Sequence, residues 1–226
     1  MKKINIAIDG PSAAGKSTIA SLLAQKLGYV HLNTGAMYRA CAYKALQQNV
    51  SLEDEDALVD LLSHSVLEMK NDGSVILDGK DISHAVRADE VSLAASCVSK
   101  HPKVRAALVR KQQEIAENGG YILDGRDIGT VVLPDAEVKV FMTASAHARA
   151  LRRLNQNQEE GIATSDLETI EKEIEERDYQ DTHRAASPLV QAEDAVCIDT
   201  SDLSIEETVD RILDLAKPFL SEGDVK

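Results

Sequence analysis

Tryptophan is absent from this chain of 226 residues, and two phenylalanines and five tyrosines make up the whole aromatic share of 3%. A core must therefore be built from Leu, Ile, Val and Ala, and the hydrophobic fraction of 43% is enough for a substantial one. Positive charge is also short. Lys and Arg number 25 against 38 Asp and Glu, a net charge of -13. General attraction to nucleic acid or to an acidic membrane surface is excluded on that balance. Any anionic ligand has to be held by local clusters of cations and by backbone N–H groups. The three cysteines, Cys41, Cys97 and Cys197, are odd in number and form no CxxC pair. Each sits in an apolar stretch and is expected to be a buried free thiol, as in a reducing compartment. No apolar run approaches the roughly 20 residues of a membrane span. Met1-Lys2-Lys3 leads straight into a short strand with no signal-peptide run. The expected location is the cytoplasm.

The length suits one large domain, or a core carrying small insertions. Ile4 to Ile8 is a β-branched run typical of a buried parallel strand, followed by a glycine-rich turn. Lys16 to Leu27 reads as a helix stopped by Gly28. Tyr29 to Leu32 is a second strand, Gly35 to Gln48 a helix, and Leu52 to Ser63 an acidic amphipathic helix. The texture then changes. Val66 to Lys70 and Ser74 to Leu77 are strand-like and flank the turn signal Asn71-Asp72-Gly73, so about 65 to 85 is read as a small antiparallel insertion. Ala88 to Val98 and Pro102 to Glu117 are helical. Tyr121 to Leu123, Val138 to Met142 and Ala195 to Ile198 supply three more strands. A long polar helical stretch, Ala146 to Ala186, breaks near Gly161, and Ile205 to Leu220 closes the chain before a polar tail. Five buried strands separated by helices predict an α/β fold with a parallel sheet covered on both faces. Ligands of such sheets sit beyond the carboxyl ends of the strands.

The motifs fall at those ends. Gly10-Pro11-Ser12-Ala13-Ala14-Gly15-Lys16-Ser17, followed by Thr18, fits G-x-x-x-x-G-K-[ST] at every fixed position, with a strand before it and a helix after. Glycines let the backbone turn its N–H groups onto a phosphate, and the helix start presents its positive end to the same anion. Lys16 supplies charge to the β and γ phosphates, and Ser17 a hydroxyl for Mg²⁺. This predicts a P-loop for ATP. Tyr121-Ile122-Leu123-Asp124 places a carboxylate at a strand end, where Asp124 is a candidate for the metal. Asp9, just before the loop, is equally placed by sequence.

Two further constellations point to a second nucleotide. Asp124-Gly125-Arg126-Asp127-Ile128-Gly129-Thr130 puts a planar guanidinium at a strand's carboxyl end, as a phosphate contact or as half of an internal ion pair with Asp127. Arg177, Asp181 and Arg184 stand at i, i+4 and i+7, so a helix would carry all three on one face ahead of an Ala-Ala-Ser-Pro break. The competing reading is a salt-bridged surface helix. The guanine-reading NKxD of GTPase switches is absent.

Together with Thr34-Gly35-Ala36-Met37-Tyr38-Arg39, this set resembles the bacterial cytidylate kinases, over nearly the whole chain. The resemblance implies an ATP-dependent kinase that phosphorylates CMP or dCMP. It implies a P-loop core of about 1–34, 119–148 and 186–220, a monophosphate-binding region with the insertion at about 35–118, and a helical lid at about 149–185. Thr34 and Arg39 would lie on the CMP side, Ser96 and Arg105 near the cytosine, and Arg126 and Asp127 against the acceptor nucleotide. Arg177, Asp181 and Arg184 would complete the site beside the lid. Family members usually carry Asp where this chain has Asn33. Arg149, Arg152 and Arg153 lead into the lid, with Asn155 to Ser165 as its tip, and Arg152 is a candidate ATP contact. No catalytic histidine is expected, because an acceptor phosphate is already ionised; His183, nearest the motifs, is read as a bystander. A monomer is expected. The rivals are another small-molecule kinase (adenylate, guanylate, thymidylate or shikimate) and a non-catalytic ATP-binding regulator.

Overall fold

The computed structural model describes residues 3–70, 73–159, 161 and 165–220. Four-residue β1 (Ile6–Asp9) leads through the phosphate loop into α1 (Lys16–Leu27), which Gly28 ends. β2 (Val30–Asn33) runs directly into α2 (Thr34–Gln47), because Asn33 caps that helix by accepting from the Ala36 N–H. α3 (Glu55–Ser63) begins later than its hydrophobic pattern suggests, since Asp54 takes the cap. β3 (Leu67–Met69), β4 (Val75–Leu77) and β5 (Lys80–Asp81) make a separate antiparallel sheet in that order. α4 (Asp89–Val98) and α5 (Pro102–Ala116) follow. β6 (Tyr121–Gly125), β7 (Val138–Thr143), α6 (Ala146–Glu159), α7 (Leu167–His183), β8 (Val196–Asp199) and α8 (Ile205–Ala216) complete the chain.

The main sheet is parallel throughout, ordered β2-β6-β1-β7-β8. Alternate residues of a strand face opposite sides, and the two cores follow that rule. Ile6, Ile8 and Ile122 pack with α1 and α8 on one face, while Ala7, Leu32 and Leu123 pack with α2 to α5 on the other. The parallel register pairs Asn33 and Ile8 with Asp124, and Asp9 with Gly125, so these side chains share one edge of the sheet. The α6–α7 hairpin has only a small core of its own, Ala150, Ile170 and Ile174.

The insertion holds one strand more than expected. Leu77 pairs with Lys80 across Asp78-Gly79, both at positive φ, the two-residue Asp-Gly hairpin signal. The Asn71-Asp72-Gly73 turn falls partly outside the described residues, as does the lid tip, of which Asn155 to Glu159 belong to α6. The cysteines differ from expectation: Cys41 is buried, Cys97 half-buried and Cys197 exposed. Cys197 lies on the edge strand β8, where Ile198 takes the inward position. No helix among the described residues is long and apolar enough to cross a membrane.

Candidate active site

The loop from Gly10 to Thr18 wraps the amino end of α1. Gly10 lies against the backbone of Met142 at the end of β7, and Gly15 is the helix N-cap at φ 87. Ala13 takes a positive φ of 58 to complete the curve. Residues Ala13 to Thr18 line a cleft of about 800 Å³ that also reaches Arg39, Arg152 and Arg153; Gly10 and Pro11 support the loop from behind and line neither this cleft nor the next. Lys16 is buried, with Nζ donating to the Pro11 carbonyl at 2.6 Å. Burial first, and then the Arg126 charge, pull its ammonium well below the usual lysine range.

Beside Lys16 lies an oxygen-rich corner. Ser17 Oγ donates to Asp124 Oδ2 at 2.7 Å, and His31 Nε2 meets Asp124 Oδ1 at 2.6 Å. Burial alone would raise the Asp124 carboxyl, but His31, Lys16 and Ser17 outweigh it and hold the group below the ordinary carboxylate range. Asp9 has another task. Its two oxygens accept from the backbone N–H groups of Ile128 and Gly129 at 2.8 and 2.7 Å, fixing the turn after β6. Burial pushes its carboxyl up to about 6 despite those two bonds. The donors left to a cation are one hydroxyl and one carboxylate, both hard oxygens. That fits Mg²⁺, which takes one or two protein oxygens and fills its octahedron with phosphate and water. No cluster of three or more His, Cys, Asp or Glu that could cage a metal occurs among the described residues.

A second cavity of about 230 Å³ opens on the same Lys16 and Ser17. Thr34, Arg39, Ser96, Arg105, Arg126, Asp127, Arg177, Asp181 and Arg184 all line it, so every acceptor-side residue singled out from sequence converges here. Ser96 on α4 and Arg105 on α5 line the same cavity from either side of the His101-Pro102 break. Thr34 Oγ1 donates to the Asp124 carbonyl at 2.7 Å. Arg105 forms a buried ion pair with Asp127, donates to the Ser99 carbonyl at 3.2 Å, and lies over the Tyr38 ring at 5.3 Å. Arg126 and Asp127, adjacent in sequence, are therefore not each other's partners. Arg126 Nε donates to Asp181 Oδ2 at 2.7 Å, and Arg184 Nη1 stands 3.6 Å from Asp181 Oδ1.

The Arg–Asp–Arg stripe is not a single helical face. α7 ends at His183, and Arg184 is its C-cap in an extended conformation (φ -64, ψ 145), tied through Nε to the Ser187 carbonyl at 2.8 Å. The change of direction turns Arg184 into the cavity. Burial lowers Arg39, Arg184 and Arg177, the last to about 10, with neighbouring arginines adding to the effect. The Nε atoms of Arg39, Arg105 and Arg177 and Nη2 of Arg184 are buried without a hydrogen-bond partner among the described residues. Crowded, under-partnered guanidinium groups of this kind are what a phosphate dianion neutralises.

The three arginines of α6 separate in role. Arg149 is buried, pairs with Asp178 at 2.6 Å and donates to the carbonyls of Ala144 and Ser12, tying α7 and the phosphate loop to β7. Arg152 bonds the side chain and carbonyl of Thr200 at the rim of the larger cleft. Arg153 reaches Asp89 at 3.3 Å, at the start of α4. His183 stacks on Tyr179 at 4.0 Å, on the exposed side of α7. The histidine nearest the chemistry is His31, which sequence reasoning passed over. Its two-residue spacing from Asn33 on one strand was the available signal.

Two anion-binding basins that share one lysine, at the carboxyl edge of a parallel sheet, define a phosphotransferase of the P-loop kinase class. A solved structure of an uncharacterized protein from Eubacterium ventriosum ATCC 27560 has the same fold, with a TM-score of 0.55 at 14% identity, covering 96% of this chain and 99% of that one. The family model for cytidylate kinase matches residues 6–218. Cytidylate kinase of Ligilactobacillus salivarius (strain UCC118) is 52% identical over 218 residues, covering 95% of this chain and 97% of the relative. That of Bacillus subtilis (strain 168) is 49% identical over 216 residues, covering 94% and 96%. This chain belongs to the cytidylate kinase family.

Proposed function

We propose that the enzyme transfers the γ-phosphoryl group of MgATP directly to the phosphate of CMP or dCMP, giving CDP or dCDP and ADP, without a general base. The observation that carries this reading is the convergence of Arg39, Arg126, Arg177 and Arg184 on one small cavity facing Lys16. ATP lies in the larger cleft with its phosphates in the loop Gly10 to Thr18, and Arg152 flanks it. Lys16 leaves the Pro11 carbonyl for the β and γ phosphates. Ser17 and Asp124, already bonded to each other, would hold Mg²⁺, while Asp9 is turned to the backbone N–H groups of the Ile128–Gly129 turn. When bound there, Mg²⁺ would supply positive charge to neutralise the charge that develops on the phosphate oxygens.

The acceptor oxygen is ionised at neutral pH, so catalysis reduces to positioning and charge neutralisation. Arg39, Arg126, Arg177 and Arg184 steady the acceptor phosphate and the group in flight. Asp181 holds Arg126 and Arg184 apart in fixed directions. Thr34 closes the floor, while Ser96, Arg105 and Asp127 face the nucleoside. Cytosine presents an N4 donor beside the N3 and O2 acceptors, which suits a carboxylate or hydroxyl together with an arginine. The α6–α7 hairpin acts as the lid over a fixed core, excluding water that would otherwise take the phosphoryl group. The protein acts as a monomer in the cytoplasm on small-molecule partners alone. Phosphorus NMR of the protein with MgATP and CMP, dCMP, UMP, AMP, GMP or shikimate tests the reading. Rapid formation of CDP and dCDP is expected. Fast transfer to another acceptor alone would overturn the cytidylate assignment, and ATP binding with no transfer would leave a regulator.

A further inference from the structure

Asp124 and Ser17 are held from β2 by two residues that the mechanism above does not use. β2 pairs in register with β6, Asn33 opposite Asp124, and strand alternation sends His31 and Asn33 to the same side. Both oxygens of Asp124 are engaged, Oδ1 by His31 Nε2 at 2.6 Å and Oδ2 by Ser17 Oγ at 2.7 Å. The carboxylate only accepts, so His31 carries its proton on Nε2 there. Asn33 has its two ends on different partners. Oδ1 accepts from the Ala36 N–H at 2.8 Å and caps α2, which obliges Nδ2 to face Ser17 Oγ at 2.9 Å. The single Ser17 proton goes to Asp124, and one of the two lone pairs of Oγ faces the Asn33 amide.

We infer that His31 and Asn33 are positioning residues for the cation: His31 fixes the Asp124 carboxylate, and the Asn33 amide takes one of the two Ser17 lone pairs and draws charge from the oxygen a cation would share, so that this pair sets the strength of metal binding. The inference rests on the cation lying at Ser17 and Asp124. An amide donor and a dication compete for one oxygen, so Asn33 weakens the site while keeping it neutral on that side. A carboxylate at position 33 still caps α2, since Asp and Asn serve equally as N-caps. It removes the competing N–H and adds a negative charge within hydrogen-bonding reach of Ser17.

The test uses the full chain with ADP, which holds the nucleotide site without turnover, and Mn²⁺ followed by the electron paramagnetic resonance signal of the free ion. Asn33→Asp should bind Mn²⁺ about tenfold more tightly than the unmodified protein, as one added charge at short range in a partly screened site gives. His31→Ala should bind it about tenfold more weakly, the usual scale for losing a group that orients a metal ligand. His31→Gln, which can donate to Asp124 from its amide, should recover most of that loss. Melting temperature, measured alongside, should stay unchanged in Asn33→Asp, which separates metal positioning from a general loss of structure. Equal or weaker Mn²⁺ binding by Asn33→Asp, or His31→Gln as weak as His31→Ala, would overturn the inference. Asp124→Asn separates the two levels. If it leaves Mn²⁺ affinity untouched, the cation placement fails and the inference with it. If it weakens binding while Asn33→Asp changes nothing, the inference fails alone.

Discussion

Arg126 and Asp181, 55 residues apart in the chain, meet at 2.7 Å and join the end of β6 to the last turns of α7. Burial opposes charge on both, yet their attraction prevails: Arg126 is held above its ordinary value and Asp181 below. One bond thus connects the sheet to the α6–α7 hairpin, while Nη1 of Arg126 donates to the Gly125 carbonyl at 3.3 Å. Asp181 is also 3.6 Å from Arg184, so a single carboxylate sets the directions of two arginines.

Lys16→Ala and Arg184→Ala should each lower kcat/KM for CMP by a hundredfold or more, roughly 3 kcal/mol of transition-state stabilisation, the scale of one lost charged donor. Steady-state assays with MgATP and CMP measure this. Near-normal turnover in both variants would remove these residues from the mechanism.

Asp127→Ala should destabilise the fold by about 3–5 kcal/mol, because it strands the buried Arg105 charge. Adding Arg105→Met should restore much of that stability, since an apolar side chain replaces an unpaired ion, while acceptor binding stays lost. Urea unfolding and CMP titration distinguish the two effects.

Two glycines of the phosphate loop should respond differently to alanine. A Cβ at Gly10 would stand 2.0 Å from the Met142 carbonyl oxygen, whereas one at Gly15 would meet nothing within 4 Å. Gly15→Ala therefore meets only the left-handed backbone strain at φ 87, about 1–2 kcal/mol. Gly10→Ala must move β7 or the loop and should unfold at a clearly lower temperature. Equal melting temperatures would contradict the loop geometry.

Asp9 gives a pH dependence of known sign. Its carboxyl is raised from 3.8 to about 6 in the fold, so its contribution to stability is complete below about pH 4 and lost as pH rises through 6. The unmodified protein should thus lose about 3 kcal/mol relative to Asp9→Asn between pH 4 and 7. Parallel stability–pH curves for the two would rule this out.

Much of this was legible in the chain, for physical reasons. Helix α1 runs over the residues its periodicity predicts, because Gly15 and Gly28 punctuate both ends. The acceptor-side residues were recognised as a set, since their types fit phosphate chemistry and their motifs match those of a family. Their partners were not legible. Nothing in Arg126-Asp127 says that each pairs elsewhere, with Asp181 and Arg105, because those contacts depend on how helices cross. Arg184 was placed on a helical face because spacing does not report where a helix stops; the bond from its N–H to Gln180 and the turn at Ser187 decide that. His31 is a weak signal by itself, because one histidine on a short strand stands out only through its two-residue spacing from Asn33. The Asp78-Gly79 hairpin, by contrast, was present in the sequence and was overlooked.

The proposed reaction is a single, direct transfer between two nucleotides held in adjacent basins. The stereochemical course at phosphorus tests it most directly. ATP made chiral at the γ position with three oxygen isotopes is turned over with CMP, and the configuration of the β phosphorus of CDP is read by phosphorus NMR. One in-line displacement predicts inversion. Retention would require two displacements through a phosphorylated enzyme, and would contradict the mechanism.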